Sequence, residues 1–253
     1  MQLENKVVVL TGASSGIGYA AAKLFAMQGA KLVVSARRQV ALDRLVSEIR
    51  TRGGDAVALA GDIRDEATAK ALVDRARNEF GGLDIAFNNA GQLGAMGETP
   101  GVALESWRET IETNLTSAFL GAKYQIPAMQ ERGAGSLIFT SSFVGHRVGM
   151  PGMAAYAASK AGLIGLTQVL AAEHGPQGIR ANALLPGGTD TEMAQAHSNT
   201  PEAREFVNGL HALKRIARPE EIARAALFLA SDASSFVTGQ AILADGGVSI
   251  TRT

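Results

Sequence analysis

A doubly wound parallel α/β sheet of about seven strands, with helices on both faces, is the fold this sequence predicts. Three observations lead there. Short apolar runs alternate with longer helical stretches from one end of the chain to the other. The runs are close to continuously apolar, as strands covered on both faces must be. A glycine-rich turn joins the first run to the first helical stretch.

Strands are expected at 6–10, 31–35, 56–60, 84–87, 136–140, 179–184 and 240–244. Helices are expected at 16–28, 40–51, 67–80, 104–131, 153–173 and 219–230. The first strand, Val7-Val8-Val9-Leu10, is too short for a signal peptide core or a membrane span, and no charged n-region precedes it. A soluble cytoplasmic protein is the expectation. No Pro/Ser-rich linker and no repeat of solenoid period interrupts the alternation, so residues 1–253 read as one domain. One segment breaks the rhythm. Residues 188–213 follow a strand, contain Pro201, mix polar with apolar side chains and read as a lid.

Composition narrows the function. Lys plus Arg and Asp plus Glu both number 24, so the net charge is zero, and neither nucleic acid nor an anionic membrane is an expected partner. Hydrophobic residues make up 46%, enough for a large core. The chain has no Cys, which excludes disulfides, thiol catalysis and cysteine-held metals. No His, Asp and Glu cluster has ligand spacing, so no metal site is expected.

The glycine turn reads Gly12-Ala13-Ser14-Ser15-Gly16-Ile17-Gly18, between a strand and a helix. Glycines there let the chain turn sharply and bring backbone N–H groups to a pyrophosphate. The same residues also match G-x-S-x-G, the nucleophile elbow of a hydrolase. That alternative requires a general-base histidine, and His146, His174, His197 and His211 are scattered without a local signature.

Tyr156 and Lys160 are four residues apart in a helical stretch, hence on one face. A free phenol has a pKa of about 10, and a neighbouring ammonium would stabilise the phenolate and bring proton transfer nearer to neutral pH. At the end of the second strand, Ala36 stands where an acid would bond the 2′-hydroxyl of an NAD ribose, and Arg37 and Arg38 follow. Arginine pairs with a 2′-phosphate through charge-assisted bonds. NADP(H) is therefore favoured, with NAD(H) as the alternative.

Taken together, Thr11-Gly12-x-x-x-Gly16-Ile17-Gly18, Asn88-Asn89-Ala90-Gly91, Asn114, Ser142, Tyr156-x-x-x-Lys160 and Pro186-Gly187 resemble the short-chain dehydrogenase/reductase family, in order and over essentially the whole chain. The resemblance implies a Rossmann-type fold and hydride transfer between NADP(H) and a ketone or secondary alcohol. It extends to the 3-oxoacyl-thioester reductases and to sugar and steroid alcohol dehydrogenases of the family. A nucleotide-binding protein without turnover is the reading from a different class.

By this resemblance Tyr156 is the general acid/base. Lys160 lowers its pKa and holds the nicotinamide ribose, Ser142 bonds the substrate oxygen, and Asn114 supports a water-linked proton path. The cofactor is implied to touch Gly12, Ser14, Ser15, Gly16, Ile17 and Gly18. Asp62 and Ile63 meet the adenine; Asn89, Ala90 and Gly91 lie beside the ribose; Pro186, Gly187, Thr189 and Thr191 hold the carboxamide end. Asp62 and Thr191 also read as simple helix caps. Ser142 lies one residue further from Tyr156 than the family's serine does, which leaves Ser141 as the fallback.

For the substrate side, Gln92, Leu93, Phe143, Val144, Met150, Met153, Gly188, Met193 and the 192–210 segment are the candidates. They suggest a neutral, moderately apolar small-molecule ketone or alcohol. His197 and His211 are expected on the surface, with entry into the pocket as the alternative. The family expectation for assembly is a homotetramer, with a dimer as the alternative.

Overall fold

The computed structural model describes residues 1–195 and 200–251. Seven parallel strands form one sheet: β1 (Val7–Thr11), β2 (Lys31–Ala36), β3 (Asp55–Ala60), β4 (Ile85–Asn88), β5 (Gly135–Thr140), β6 (Ile179–Pro186) and β7 (Ala241–Ala244), in the order β3-β2-β1-β4-β5-β6-β7. The helices are α1 (Gly16–Met27), α2 (Gln39–Thr51), α3 (Glu66–Phe80), α4 (Leu104–Ile111), α5 (Ser117–Arg132), α6 (Ala154–His174), α7 (Glu192–Gln195), α8 (Pro201–Leu210) and α9 (Pro219–Ala230). This is the doubly wound sheet the sequence predicts.

Both faces of the sheet are covered, which is why its strands are apolar throughout. Val8 and Leu10 of β1 face one way, onto Phe25 of α1, Leu45 of α2 and Leu227 of α9. Val7 and Val9 face the other way, onto Val73 of α3, Ile126 of α5 and Leu163 of α6. β1 pairs with β2 on one side and with β4 on the other. The strand order reverses there, and the crevice beyond their C-terminal ends is where such sheets bind ligands. No helix among the described residues is long and apolar enough to cross a membrane.

One element differs from the sequence reading. The helix expected at 104–131 is two helices, α4 and α5, joined by a π-helical turn over Glu112–Thr116. Such a turn carries one extra residue, which rotates Asn114 into the core, where it is almost wholly buried. The segment expected to be a lid, without a clear strand, contains α7 and α8. Thr200 starts α8 by accepting the N–H of Ala203 at 3.2 Å, with Pro201 at the first helical position.

Candidate active site

A cleft of about 890 Å³ opens at the C-terminal ends of β1, β4, β5 and β6. Its first wall is the glycine turn. Gly12 and Gly16 have φ values of +69° and +56°, a region that strains any side chain. A Cβ on Gly12 would lie 2.9 Å from Ala90 Cα, and one on Gly18 would overlap the carbonyl oxygen of Gly12. The glycines thus let the turn, α1 and the end of β4 close on one another. Ser15, at the N-cap of α1, makes no side-chain capping bond, which leaves first-turn N–H groups for an anion in the cleft. This cradle fits a pyrophosphate.

Thr11 and Asn89 tie three strand ends together. Thr11 Oγ1 accepts the N–H groups of Asn89 at 3.1 Å and Ala90 at 3.2 Å. Asn89 Nδ2 donates to the carbonyl of Thr11 at 3.2 Å, and its Oδ1 accepts from Thr140 Oγ1 at 3.1 Å. Next to it, Asn88 and Gln125 exchange two buried amide hydrogen bonds, both 2.9 Å.

At the second strand, Ala36 is buried at the end of β2, while Arg37 and Arg38 are exposed at the edge of the cleft. Arg38 Nη2 lies 3.3 Å from Ser14 Oγ and 3.3 Å from Glu192 Oε2, so it spans from the glycine turn to α7. Asp62 lines the cleft but does not cap α3, whose N-cap is Asp65. Arg64 donates to it, with Nη2 at 2.6 Å from Oδ2, and this bond holds the Asp62 carboxyl below the usual range. Ile63 lies beside it on the same wall.

The other end of the cleft holds the proton-transfer groups. Ser141 and Ser142 follow β5. The Ser141 hydroxyl donates to the carbonyl of Lys160 at 2.7 Å, which commits it to the backbone of α6. The Ser142 hydroxyl instead meets the phenol of Tyr156 and accepts the N–H of Val144 at 3.2 Å. Lys160 is buried, with Nζ 5.6 Å from the centre of the Tyr156 ring and 2.7 Å from the carbonyl oxygen of Thr140. Burial lowers its ammonium to about 8.

Tyr156 departs from expectation. Its ring opens on the cleft, but protein atoms crowd it closely. Burial pushes the phenol up, against a smaller downward pull from the bond with Ser142. The lowering expected from the ammonium does not appear, and desolvation sets the direction.

Asn114 stands behind this floor rather than in it. Its Oδ1 accepts the N–H of Gln92 at 2.8 Å, and its Nδ2 donates to the carbonyl of Gln92 at 2.8 Å and to Ser159 Oγ at 3.0 Å. Both backbone groups of Gln92 are thereby fixed. A Cβ on Gly91 would lie 3.1 Å from Asn114 Oδ1 and 3.2 Å from Lys160 Nζ, so any side chain there would crowd both groups.

After β6 come Pro186, Gly187, Gly188, Thr189 and Thr191, all lining the cleft. Thr189 is buried and donates to the carbonyl of Gly187 at 3.0 Å. Thr191 Oγ1 accepts the N–H of Ala194 at 3.3 Å, which starts α7, and its methyl lies 2.9 Å from where a Cβ on Gly16 would stand.

Of the residues predicted from sequence, Gly18 and Asn114 do not line the cleft and all the others do. The substrate-side candidates Gln92, Leu93, Phe143, Val144, Met150, Met153, Gly188 and Met193 also line it. Thr140, Ser159, Arg64 and Glu192 were not anticipated, and Thr11 was anticipated only as part of the glycine motif. Arg64 acts through Asp62, two residues before it, and the others act through partners distant in sequence, so no local pattern marks them. His211 is a correction: it is buried, not on the surface. His197 lies outside the described residues. Ser14, the nucleophile of the hydrolase alternative, has Arg38 as its hydrogen-bond partner rather than a histidine.

What the fold and this cleft define together is a Rossmann-type oxidoreductase that works with a nicotinamide dinucleotide. Comparison with known proteins narrows this further. A family model described as enoyl-(acyl carrier protein) reductase matches residues 12–249. The chain is 42% identical over 247 residues to a 2,5-dichloro-2,5-cyclohexadiene-1,4-diol dehydrogenase of Sphingobium indicum, covering 97% of each. It is 39% identical over 245 residues to a cyclohexanol dehydrogenase of an Acinetobacter species, covering 97% of this chain and 95% of the other. The crystal structure of levodione reductase superposes with a TM-score of 0.95 at 32% identity, covering 99% of this chain and 100% of that one. The chain belongs to the short-chain dehydrogenase/reductase family.

Proposed function

We propose that this protein interconverts a neutral, six-membered carbocyclic secondary alcohol and its ketone, with NADP(H) as the favoured cofactor. The observation that carries the reading is the meeting of Ser142, Tyr156 and Lys160 on the floor of the cleft that the glycine turn walls. When bound, the nicotinamide supplies or accepts the hydride.

The chain's own residues do the rest. Charge develops on the substrate oxygen during the reaction, so a donor and a proton source must converge there. Ser142 offers the donor. Tyr156 gives its phenolic proton to the oxygen in reduction and removes the hydroxyl proton in oxidation. A phenol whose pKa is raised stays protonated at neutral pH, which suits the acid role. Lys160, fixed by the carbonyl of Thr140, places its positive charge beside the ring. Asn114 holds Gln92 and the Gly91 turn against Lys160.

The substrate class rests on two features. Leu93, Phe143, Met150 and Met153 make the pocket largely apolar around the single amide of Gln92. The names of two relatives are those of dehydrogenases of six-membered carbocyclic alcohols. NADP(H) is supported by Ala36, with Arg37 and Arg38 at the cleft edge. NAD(H) is the second reading, favoured by the ion pair with Glu192 that already engages Arg38. The assembly proposed is a homotetramer, supported by the exposed Phe119 of α5 and Val169 of α6, with a dimer as the alternative.

The test is steady-state oxidation of cyclohexanol with NADP⁺ and with NAD⁺. Tyr156→Phe should lower kcat by about 10³-fold, within the range for a lost general acid/base, and leave nucleotide affinity within about twofold. Arg37→Ala with Arg38→Ala should raise KM for NADP⁺ by at least about tenfold and spare NAD⁺. Wild-type rates in the tyrosine variant would overturn the mechanism. An unchanged KM in the arginine variant would overturn the cofactor assignment.

A further inference from the structure

Of the described histidines only His211 is buried, and the proposed chemistry does not use it. Its ring sits between the two ends of the segment that follows β6. Nε2 is 3.0 Å from the backbone nitrogen of Gly188, near the start of that segment. Nδ1 is 2.8 Å from the carbonyl oxygen of Val207, in the last turn of α8. A backbone N–H can only donate and a carbonyl can only accept. Both bonds therefore exist together only if the ring is neutral, with its proton on Nδ1.

The sequence makes room for this contact. A Cβ at position 188 would lie 2.9 Å from His211 Cε1 and 3.1 Å from Nε2. The carbonyl of Gly188 is held as well, by the N–H of Ala217 at 2.8 Å. Gly188 is thus pinned on both sides, next to Gly187 and Thr189 of the cleft wall.

We propose that His211 is a positioning residue for the nucleotide site: as a neutral imidazole it pins Gly188 and the 186–189 turn, and its protonation releases that turn and weakens nucleotide binding. The inference rests on reading the turn as part of the nucleotide site.

Protonation turns Nε2 from acceptor to donor, so it would face the N–H of Gly188 donor to donor. It would also bury a charge with nothing to balance it. The charged groups on the elements packed around the ring are engaged elsewhere. Asp245, beside Gly246 after β7, accepts the N–H groups of Gly247 at 3.0 Å and Ser249 at 3.1 Å. Lys214 donates to the carbonyl of Gly209 at 2.8 Å. Arg215 pairs with Glu221 at 2.7 Å, and Arg204 with Asp190 at 2.8 Å. Glu202 and Glu205 of α8 are exposed. Among the described residues no carboxylate bonds the ring. The released turn therefore binds a proton that the pinned turn does not, and the pin weakens as pH falls.

Hydrogen exchange at the Gly188 amide of the ligand-free protein tests this without any nucleotide. Its protection factor should fall several-fold, up to about tenfold, between pH 7.5 and 5.5, because protonation of the ring breaks its bond to Gly188. His211→Gln can accept from Gly188 and donate to Val207 but cannot charge, so its protection should change less than about twofold. Nucleotide Kd, measured by calorimetry at both pH values, should weaken by up to about tenfold in the wild type and stay flat in the variant. Equal Gly188 protection at the two pH values, or the same fall in His211→Gln, overturns the pin. A fall in protection with no change in Kd overturns its link to the nucleotide site. If no nucleotide binds at pH 7.5 while Gly188 behaves as expected, the functional reading fails and the pin stands.

Discussion

Burying Lys160 should cost the resting protein stability, and that cost should vanish at high pH. The ammonium is displaced from 10.5 to about 8 by desolvation. Between those values the folded chain holds fewer protons on this group than the unfolded chain does. The free energy of unfolding therefore rises with pH across that window. At about 1.4 kcal/mol per unit, the charged lysine costs roughly 3 kcal/mol at pH 7, and most of this has gone by about pH 10.

Lys160→Met removes the charge and keeps the length of the side chain. The assay is urea unfolding of wild type and variant, ligand-free, at pH 7 and pH 10. Other titrating groups are common to both proteins, so the difference isolates Lys160. The wild type should gain about 2–3 kcal/mol relative to the variant over this interval. The lost bond to Thr140 shifts the absolute difference between the two proteins but not its pH dependence. A difference that does not vary with pH, or that moves the other way, would refute the reasoning. Turnover should be lost in the variant at either pH.

The two serines after β5 should separate cleanly. Ser142→Ala should lower kcat by about 10²-fold with little loss of stability, as expected for a donor to developing charge. Ser141→Ala loses the bond to the carbonyl of Lys160 and should cost about 1 kcal/mol in chemical unfolding. Gly18→Ala drives a Cβ into the carbonyl of Gly12. It should cost about 1–3 kcal/mol and weaken nucleotide binding at least about tenfold by calorimetry, and wild-type affinity would exclude the cradle described. Gln125→Leu strands the buried amide of Asn88 and should cost about 1–3 kcal/mol, whereas adding Asn88→Leu should cost less than the sum of the single changes in a double-mutant cycle.

Much of this protein is legible from its sequence alone. The β-α alternation, the glycine turn and the Tyr156–Lys160 spacing are local patterns, and local sterics and periodicity determine them. Gly12 needs its positive φ whatever surrounds it, and four helical residues place Tyr156 and Lys160 on one face in any context. Ala36 followed by two arginines is equally a local reading. The side chains that give these groups their geometry are not local. Thr11 of β1 reaches Asn89 at the end of the adjacent β4, Asn114 reaches Gln92 through a π-turn that no periodicity announces, and Thr140 at the end of β5 holds Lys160 of α6. Which serine faces Tyr156 depends on how the strand end turns, because adjacent residues there point in different directions. The direction in which the Tyr156 phenol titrates depends on burial, which spacing does not contain. His211 shows the same division: the sequence reading leaves it on the surface, and only the return of α8 towards the end of β6 places it between two backbone groups that admit one protonation state.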